Sequence, residues 1–486
     1  MPDEELPLEP VVSEDNTDQS DSPSTAEEKL GAQVDAGSSL DDASDAPEPD
    51  ESSSEIQEPA KQGTPSQGVS ANTRAGGSKR VRRGAGGRPS DVGTKRNLGA
   101  DLERRVGRVE FTDGALVRLR GPIRVEADSG RDVLTDIDVL AVDVDGRLRV
   151  TRSILECKSG KGQSGEPDRL LWLSGLQRFL GFERAVLVRQ TISRRGRALA
   201  RRLGVGMLDV ATLSDREKTR AWAPETFAHI DGAQCMEAER RTDVQLKGLG
   251  HLPSDLVAFL RHDALRAQPH EAIRAVATFG RRVSEGGVLP QPTREVLSGH
   301  ALVALSLAAI TDAGELDRRS PSEILERTST AVITGDPDDD QVLNLLARAD
   351  ELTNLMVRRV HDAYGAAGAA RLELQMPSLH DLVAQRPSWV PVYVDLVERY
   401  RANSAVSREL LQTIELAVFD ALLGGESYKS PAFDHLFSTE HRYLLNATLR
   451  CLGEIAGPAV AESLGAILSL DFSRSMGTRD HDVSQP

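Results

Sequence analysis

The sequence predicts an α/β fold in which a mixed sheet is layered between helices. A disordered tail precedes it and a mostly α-helical domain follows. Three observations carry this prediction. Alternating and continuous apolar runs interleave with helical stripes between residues 98 and 212. Beyond them, helical stripes continue without strand patterning. Residues 1–97 contain no aromatic side chain and are rich in Ser, Asp, Glu, Pro, Gly and Ala.

Such a tail cannot bury enough apolar surface to offset its ordering entropy, so disorder is expected over 1–97. The total charge of -16 is unevenly spread: residues 1–60 carry -18, residues 61–98 carry +8 and the remainder -6. The acidity therefore belongs to the tail and does not argue against nucleic-acid binding by the folded part. SKRVRRGAGGRP (78–89) reads as a basic linker that touches phosphates or folds back on the acidic tail.

The elements follow in order. NLGADLERRVGRVEF puts Leu102, Val106 and Val109 on one helical stripe. ALVRLRGPIRVEA (115–127) predicts one or two strands around Gly121-Pro122. DVLTDIDVLAVD (132–143) alternates, and Asp145-Gly146 signals a hairpin into LRVTRSILECK (148–158). EPDRLLWLSGLQRFLGF (166–182) is helical by its leucine spacing. RAVLVRQ (184–190) is a continuous apolar strand, as in a sheet covered on both faces. SRRGRALARRLG (193–204) is a helix capped by Ser193 and Gly204, and VGMLDV (205–210) is a last strand. These elements define a domain over 98–215. Stripes such as Val342, Leu345, Ala349, Leu352 and Met356, and Leu411, Ile414, Val418 and Leu422, define a helical domain over 216–475. Residues 476–486 are expected to be a flexible C-terminus.

The chemistry concentrates at ILECKSGKG (154–162). Alternation puts Glu156 and Lys158 on one face of a strand and Cys157 on the other. Burying such charges costs several kcal/mol unless they are paired or bound to a metal. Asp136 and Asp138 lie on the preceding strand, near the end of the sheet that Glu156 and Lys158 line. Carboxylates with the Cys157 backbone carbonyl form an all-oxygen set suited to Mg²⁺ or Mn²⁺. Such an ion polarises a phosphodiester, and Lys158 orients the attacking water or meets the developing charge. The plainer alternative is an exposed strand-end pair worth at most about 1 kcal/mol.

TDIDVLAVD, a short hairpin and ILECKSG, continued by GLQRFLGFERAVLV and SRRGRALARRLGVGMLDV, resemble the PD-(D/E)xK nuclease superfamily, and within it the Mrr-like restriction-endonuclease branch. The resemblance covers about residues 98–212. It implies a restriction-endonuclease-like fold and a Mg²⁺-dependent endonuclease. Asp138 matches the family's metal-binding Asp, Glu156 its second ligand and Lys158 its catalytic Lys. Asp136 stands where some relatives carry an acid, and Glu103 on the first helix matches a supporting Glu. The family's Pro before the Asp is replaced by Ile137. Gln177, on the helix after the Lys strand, is a further candidate for the site.

Lys161, Arg194, Arg195, Arg197, Arg201 and Arg202 form a basic rim suited to a DNA backbone. RNA is not excluded as a substrate. The resemblance also implies a homodimer, and the helical domain is read as recognising DNA or a protein partner, or as mediating oligomerisation. The alternative is a non-catalytic nucleic-acid-binding or scaffold protein acting through its tail and helices. The ten histidines show no metal-ligand spacing; His435 and His441 are read as structural. Cys157, Cys235 and Cys451 fit neither a disulfide framework nor a metal motif, so a cytoplasmic setting is expected. No membrane helix is expected, and MPDEELPLEP lacks the basic start and apolar core of a signal peptide.

Overall fold

A five-stranded mixed sheet, in spatial order β1-β2-β3-β4-β5, follows the first helix in the computed structural model. The structure describes residues 98–473, apart from 128–129, 161–164, 220–221, 338–340, 369–377, 380–381 and 383–384. The expected disordered tail with its basic linker, Lys161 and the expected flexible end 476–486 lie outside the described residues.

Helix α1 (Leu98–Thr112) leads into β1 (Leu116–Ala127), β2 (Gly130–Val144) and β3 (Val150–Lys158), which pair antiparallel. Helix α2 (Glu166–Leu180) then crosses to β4 (Arg184–Arg189), and α3 (Arg194–Leu203) to β5 (Gly206–Asp209). Both β3–β4 and β4–β5 are parallel, which requires a crossover of this kind. Leu102, Val106 and Val109 of α1 are buried, as their spacing predicts, and Ala185–Val188 of β4 are buried throughout. Ser193 caps α3 by accepting from the Gly196 amide at 2.8 Å, and Gly204 closes it at φ 71°.

Two local features complete the expectations from sequence. β1 runs unbroken through Gly121-Pro122, with a register shift between Ile123 and Arg124. Pro122 is tolerated because β1 is an edge strand, where a missing amide breaks no ladder. In the β2–β3 turn the left-handed residue is Leu148 (φ 64°), not Gly146. Asp145 Oδ1 accepts from the Arg147 and Arg149 amides at 2.8 and 2.9 Å, which reinforces a turn closed by the main-chain bonds Leu148 N–H to Asp145 O and Asp145 N–H to Arg149 O. Leu148 is 1% exposed, and that burial offsets a left-handed cost of about 1–2 kcal/mol.

After α4 (Val210–Lys218) the described chain is helical: α5 (Ala233–Leu246), α6 (Pro269–Gly286), α7 (Thr293–Glu315), α8 (Pro321–Thr334), α9 (Gln341–Ala366), α10 (Val390–Ala402), α11 (Leu410–Leu416) and α12 (Thr439–Ala456), with shorter turns between. The α11 helix continues as a π-helical turn, Ala417–Leu422.

One core runs from the sheet into these helices. Phe111 of α1 packs edge-on against Phe227 and Phe433. The Gln412 amide of α11 donates to the Phe111 and Ala115 carbonyls. Arg118 of β1 pairs with Glu415 of α11 at 2.7 Å. By length and hydropathy α7 could cross a membrane, yet 89% of its apolar window is buried against the rest of the protein. Helix α9 has no buried residue among its described side chains, and its predicted stripe leaves Leu345, Leu352 and Met356 in solvent.

Candidate active site

The ladder between β2 and β3 stops at Val139–Leu155, one step before Asp138 and Glu156. These two residues stand opposite each other, so antiparallel geometry turns both carboxylates to one face. Opposed like charges repel, and the structure supplies the compensation. Lys158 Nζ lies 2.6 Å from Glu156 Oε1 and 3.4 Å from Asp138 Oδ2. Asp138 Oδ2 also accepts from the Cys157 amide at 2.7 Å, so a side chain takes over where the main-chain ladder ends. Arg169, in the first turn of α2, approaches Glu156 Oε1 at 3.6 Å.

The electrostatics follow from burial. The Glu156 side chain is 6% exposed and Lys158 35%. Burial pushes the Glu156 carboxyl above its ordinary value, and Asp138 adds to this, against the pull of Lys158. Burial also works against the Lys158 ammonium, but the bond to Glu156 and the two carboxylate charges outweigh it and raise its pKa. The Cys157 side chain is buried and, chiefly through burial, its thiol is held far above the normal range. That thiol is therefore no nucleophile; its residue contributes backbone groups.

The other predicted site residues are placed as follows. Asp136 lies one alternation further out on β2 and is exposed. Glu103, on α1, is bonded to Arg120 at 2.7 Å, and Arg120 continues to Asp231 at 3.1 Å. Arg120 lies between Leu119 and Gly121, the partners of Val139 and Ile137, hence across the ladder from Asp138. Glu103 is thus paired with a guanidinium across the ladder from Asp138, and its charge acts on the Cys157 thiol. Gln177 is spent elsewhere: its amide donates to the carbonyls of Phe182 and Glu183 at 3.2 and 3.1 Å. It lies eight residues beyond Arg169, about 12 Å along the helix axis.

The rim is anchored beside the cluster. Lys158 pairs with Arg189 across the β3–β4 ladder. Arg189 faces Glu166 at 3.6 Å, and Glu166 accepts from the Ser193 hydroxyl at 2.7 Å at the start of α3. Arg194, Arg195 and Arg197 are exposed at that end of α3, with Arg201 and Arg202 further along it. Arg197 also reaches Asp209 at 3.2 Å.

A second polar cluster brings together two histidines and a carboxylate that no sequence spacing signals. His229 Nε2 and His300 Nε2 approach Glu239 Oε1 at 3.2 and 2.8 Å. Burial drives the Glu239 carboxyl up, but the bonds from both histidines reverse this and hold it well below its ordinary value. Burial lowers His300 to about 4 despite Glu239. His229 Nδ1 meets Glu415 Oε1 at 2.7 Å, and Arg261 binds Glu239 and Asp243. These residues come from a loop, α5, α7 and α11, so no short spacing signals them. His441 meets the reading of a structural residue: its Nδ1 lies 2.9 Å from the Ser438 hydroxyl that caps α12.

No protein-family model matches this chain. No curated protein and no solved structure matches it either.

Proposed function

We infer that this protein is a divalent-metal-dependent phosphodiesterase acting on DNA as an endonuclease of PD-(D/E)xK type, with a restriction-endonuclease-like sheet. One observation carries the reading. Two carboxylates on adjacent strands, Asp138 and Glu156, converge on a single ammonium, Lys158, at the end of a strand ladder. The donor set fits Mg²⁺ or Mn²⁺. Each carboxylate commits one oxygen to these bonds, Oδ2 of Asp138 and Oε1 of Glu156, and keeps its other oxygen to offer a hard cation.

Asp138, Glu156 and the Cys157 carbonyl would hold the ion. When bound, it supplies Lewis-acid polarisation of the phosphodiester and makes water a stronger nucleophile at neutral pH. The chain's own residues do the rest. The Cys157 amide fixes the rotamer of Asp138. Lys158 would orient the water and meet charge developing on the phosphate. Arg194, Arg195 and Arg197 offer exposed guanidiniums to the flanking backbone phosphates.

The test is cleavage of plasmid, single-stranded DNA and RNA with Mg²⁺ or Mn²⁺, comparing the wild type with Asp138→Ala and Lys158→Ala. Nicking or linearisation lost in both variants is the expected result. No cleavage of any substrate, modified DNA included, overturns the enzyme reading in favour of a non-catalytic binding protein.

A further inference from the structure

The second polar cluster lies where the sheet meets the helices, and nothing in the proposed nuclease chemistry uses it. We propose that His229, Glu239 and His300 bind a divalent transition-metal ion of the Zn²⁺ class, as a site separate from Asp138 and Glu156.

The donor chemistry comes first. Two imidazole nitrogens and one carboxylate oxygen are borderline ligands that prefer Zn²⁺ and its first-row neighbours to Mg²⁺. The spacing fits. The three donor atoms lie within 4.8 Å of one another, with two of the edges at 2.8 and 3.2 Å. Tetrahedral zinc at about 2.0–2.1 Å from its ligands sets neighbouring donors about 3.3 Å apart. Small rotations therefore suffice to seat an ion. An ion would displace one proton from His229, which faces carboxylates through both ring nitrogens, while neutral His300 need only carry its proton on Nδ1, so binding releases a proton.

The surroundings are those of a built site. Glu415 fixes the far nitrogen of His229 at 2.7 Å, the carboxylate–histidine support that metal-binding imidazoles use. Arg261 holds the other Glu239 oxygen, which leaves Oε1 turned toward the histidines. Glu239, Glu415 and Asp243 face Arg118, Arg261 and the His229 imidazolium, so the cluster is balanced now and gains one negative charge once His229 gives up its proton to make way for a cation. A cavity of about 320 Å³, lined by His229, Glu239, His300, Arg118, Arg120 and Arg261, gives the ion entry and a position for water.

An ion here would tie the loop before α5, α5 and α7 together, beside the Arg118–Glu415 pair that joins β1 to α11. Its primary effect is structural, because the ligands come from segments distant in sequence.

The experiment uses the full chain, stripped with chelator and dialysed against Zn²⁺ in excess Mg²⁺, with bound metal measured by mass spectrometry. One Zn²⁺ per chain is expected. It should survive in Asp138→Ala, be lost in Glu239→Gln and His300→Asn, and bind about 10–100-fold more weakly in Glu415→Gln. Zinc uptake that is absent, or that disappears in Asp138→Ala and persists in Glu239→Gln, overturns the proposal. If the buried variants do not fold, X-ray absorption at the zinc edge of the wild type decides. Two imidazole nitrogens in the coordination shell support the site, and an oxygen-only shell refutes it. DNA cleavage plays no part in either readout, so the result stands apart from the nuclease reading.

Discussion

Replacing Glu415 with Gln should be among the most costly single changes at the seam between sheet and helices. Glu415 is 2% exposed at its side chain and pairs with Arg118, itself 8% exposed, at 2.7 Å. It also accepts from the His229 amide at 3.1 Å and meets His229 Nδ1 at 2.7 Å. Burial alone would raise its carboxyl, but Arg118 and His229 overcome that and hold it at about 2, against an ordinary 4.5. At about 1.4 kcal/mol per pKa unit, this difference amounts to about 3–4 kcal/mol of stability. Removing one partner of a buried ion pair independently suggests about 3–5 kcal/mol, because the guanidinium is left buried and uncompensated.

The sign follows from the depressed pKa. The contribution is complete above 4.5 and is lost as pH falls toward about 2. Urea unfolding of the wild type and Glu415→Gln should therefore show a gap of about 3–4 kcal/mol at neutral pH. That gap should narrow by about 1.4 kcal/mol for each pH unit below the ordinary value. Replacing Arg118 and Glu415 together with apolar residues should recover much of the loss. A neutral-pH gap below about 1 kcal/mol, the worth of an exposed pair, would refute the reasoning. So would a gap that does not change in acid.

Three further outcomes are expected. Gln177→Ala should leave any cleavage rate unchanged and cost about 1 kcal/mol of stability, because its amide serves the 181–183 turn; a large fall in rate with unchanged folding contradicts this. In metal-free protein, the raised Glu156 carboxyl contributes stability below its ordinary value that is lost as pH rises through the raised one; Glu156→Gln should abolish this dependence, and Mn²⁺ uptake by the wild type should weaken as pH falls through the same range. Gly280→Ala should destabilise by about 1–3 kcal/mol despite the better helix former. An added methyl would sit 2.2 Å from the Ala456 carbonyl oxygen, so α6 and α12 would have to move apart, and an unchanged denaturation midpoint would disprove that contact.

The sequence by itself determined the local structure of the sheet region. Helical periodicities mark which faces of α1 and α2 are buried, and burial is what selects that period, whereas β2 is buried on both faces from Val139 to Val142 and leaves Val133 exposed, against its alternation. Ser193 and Gly204 bracket α3 because a hydroxyl cap and a left-handed glycine act within one turn. Glu156, Lys158 and Asp138 were legible together because strand alternation and a short hairpin fix their relative placement. The tertiary structure decided what depends on long-range approach. Only packing shows that Gln177 turns to its own helix end and Glu103 to Arg120. Only packing shows that the stripe on α9 faces solvent, since an apolar stripe states a period but not a neighbour. His229, Glu239, His300 and Glu415 span nearly two hundred residues and meet only because four segments converge on one core. No spacing rule reaches that far, because the distance between such side chains is set by helix packing and not by the chain that joins them.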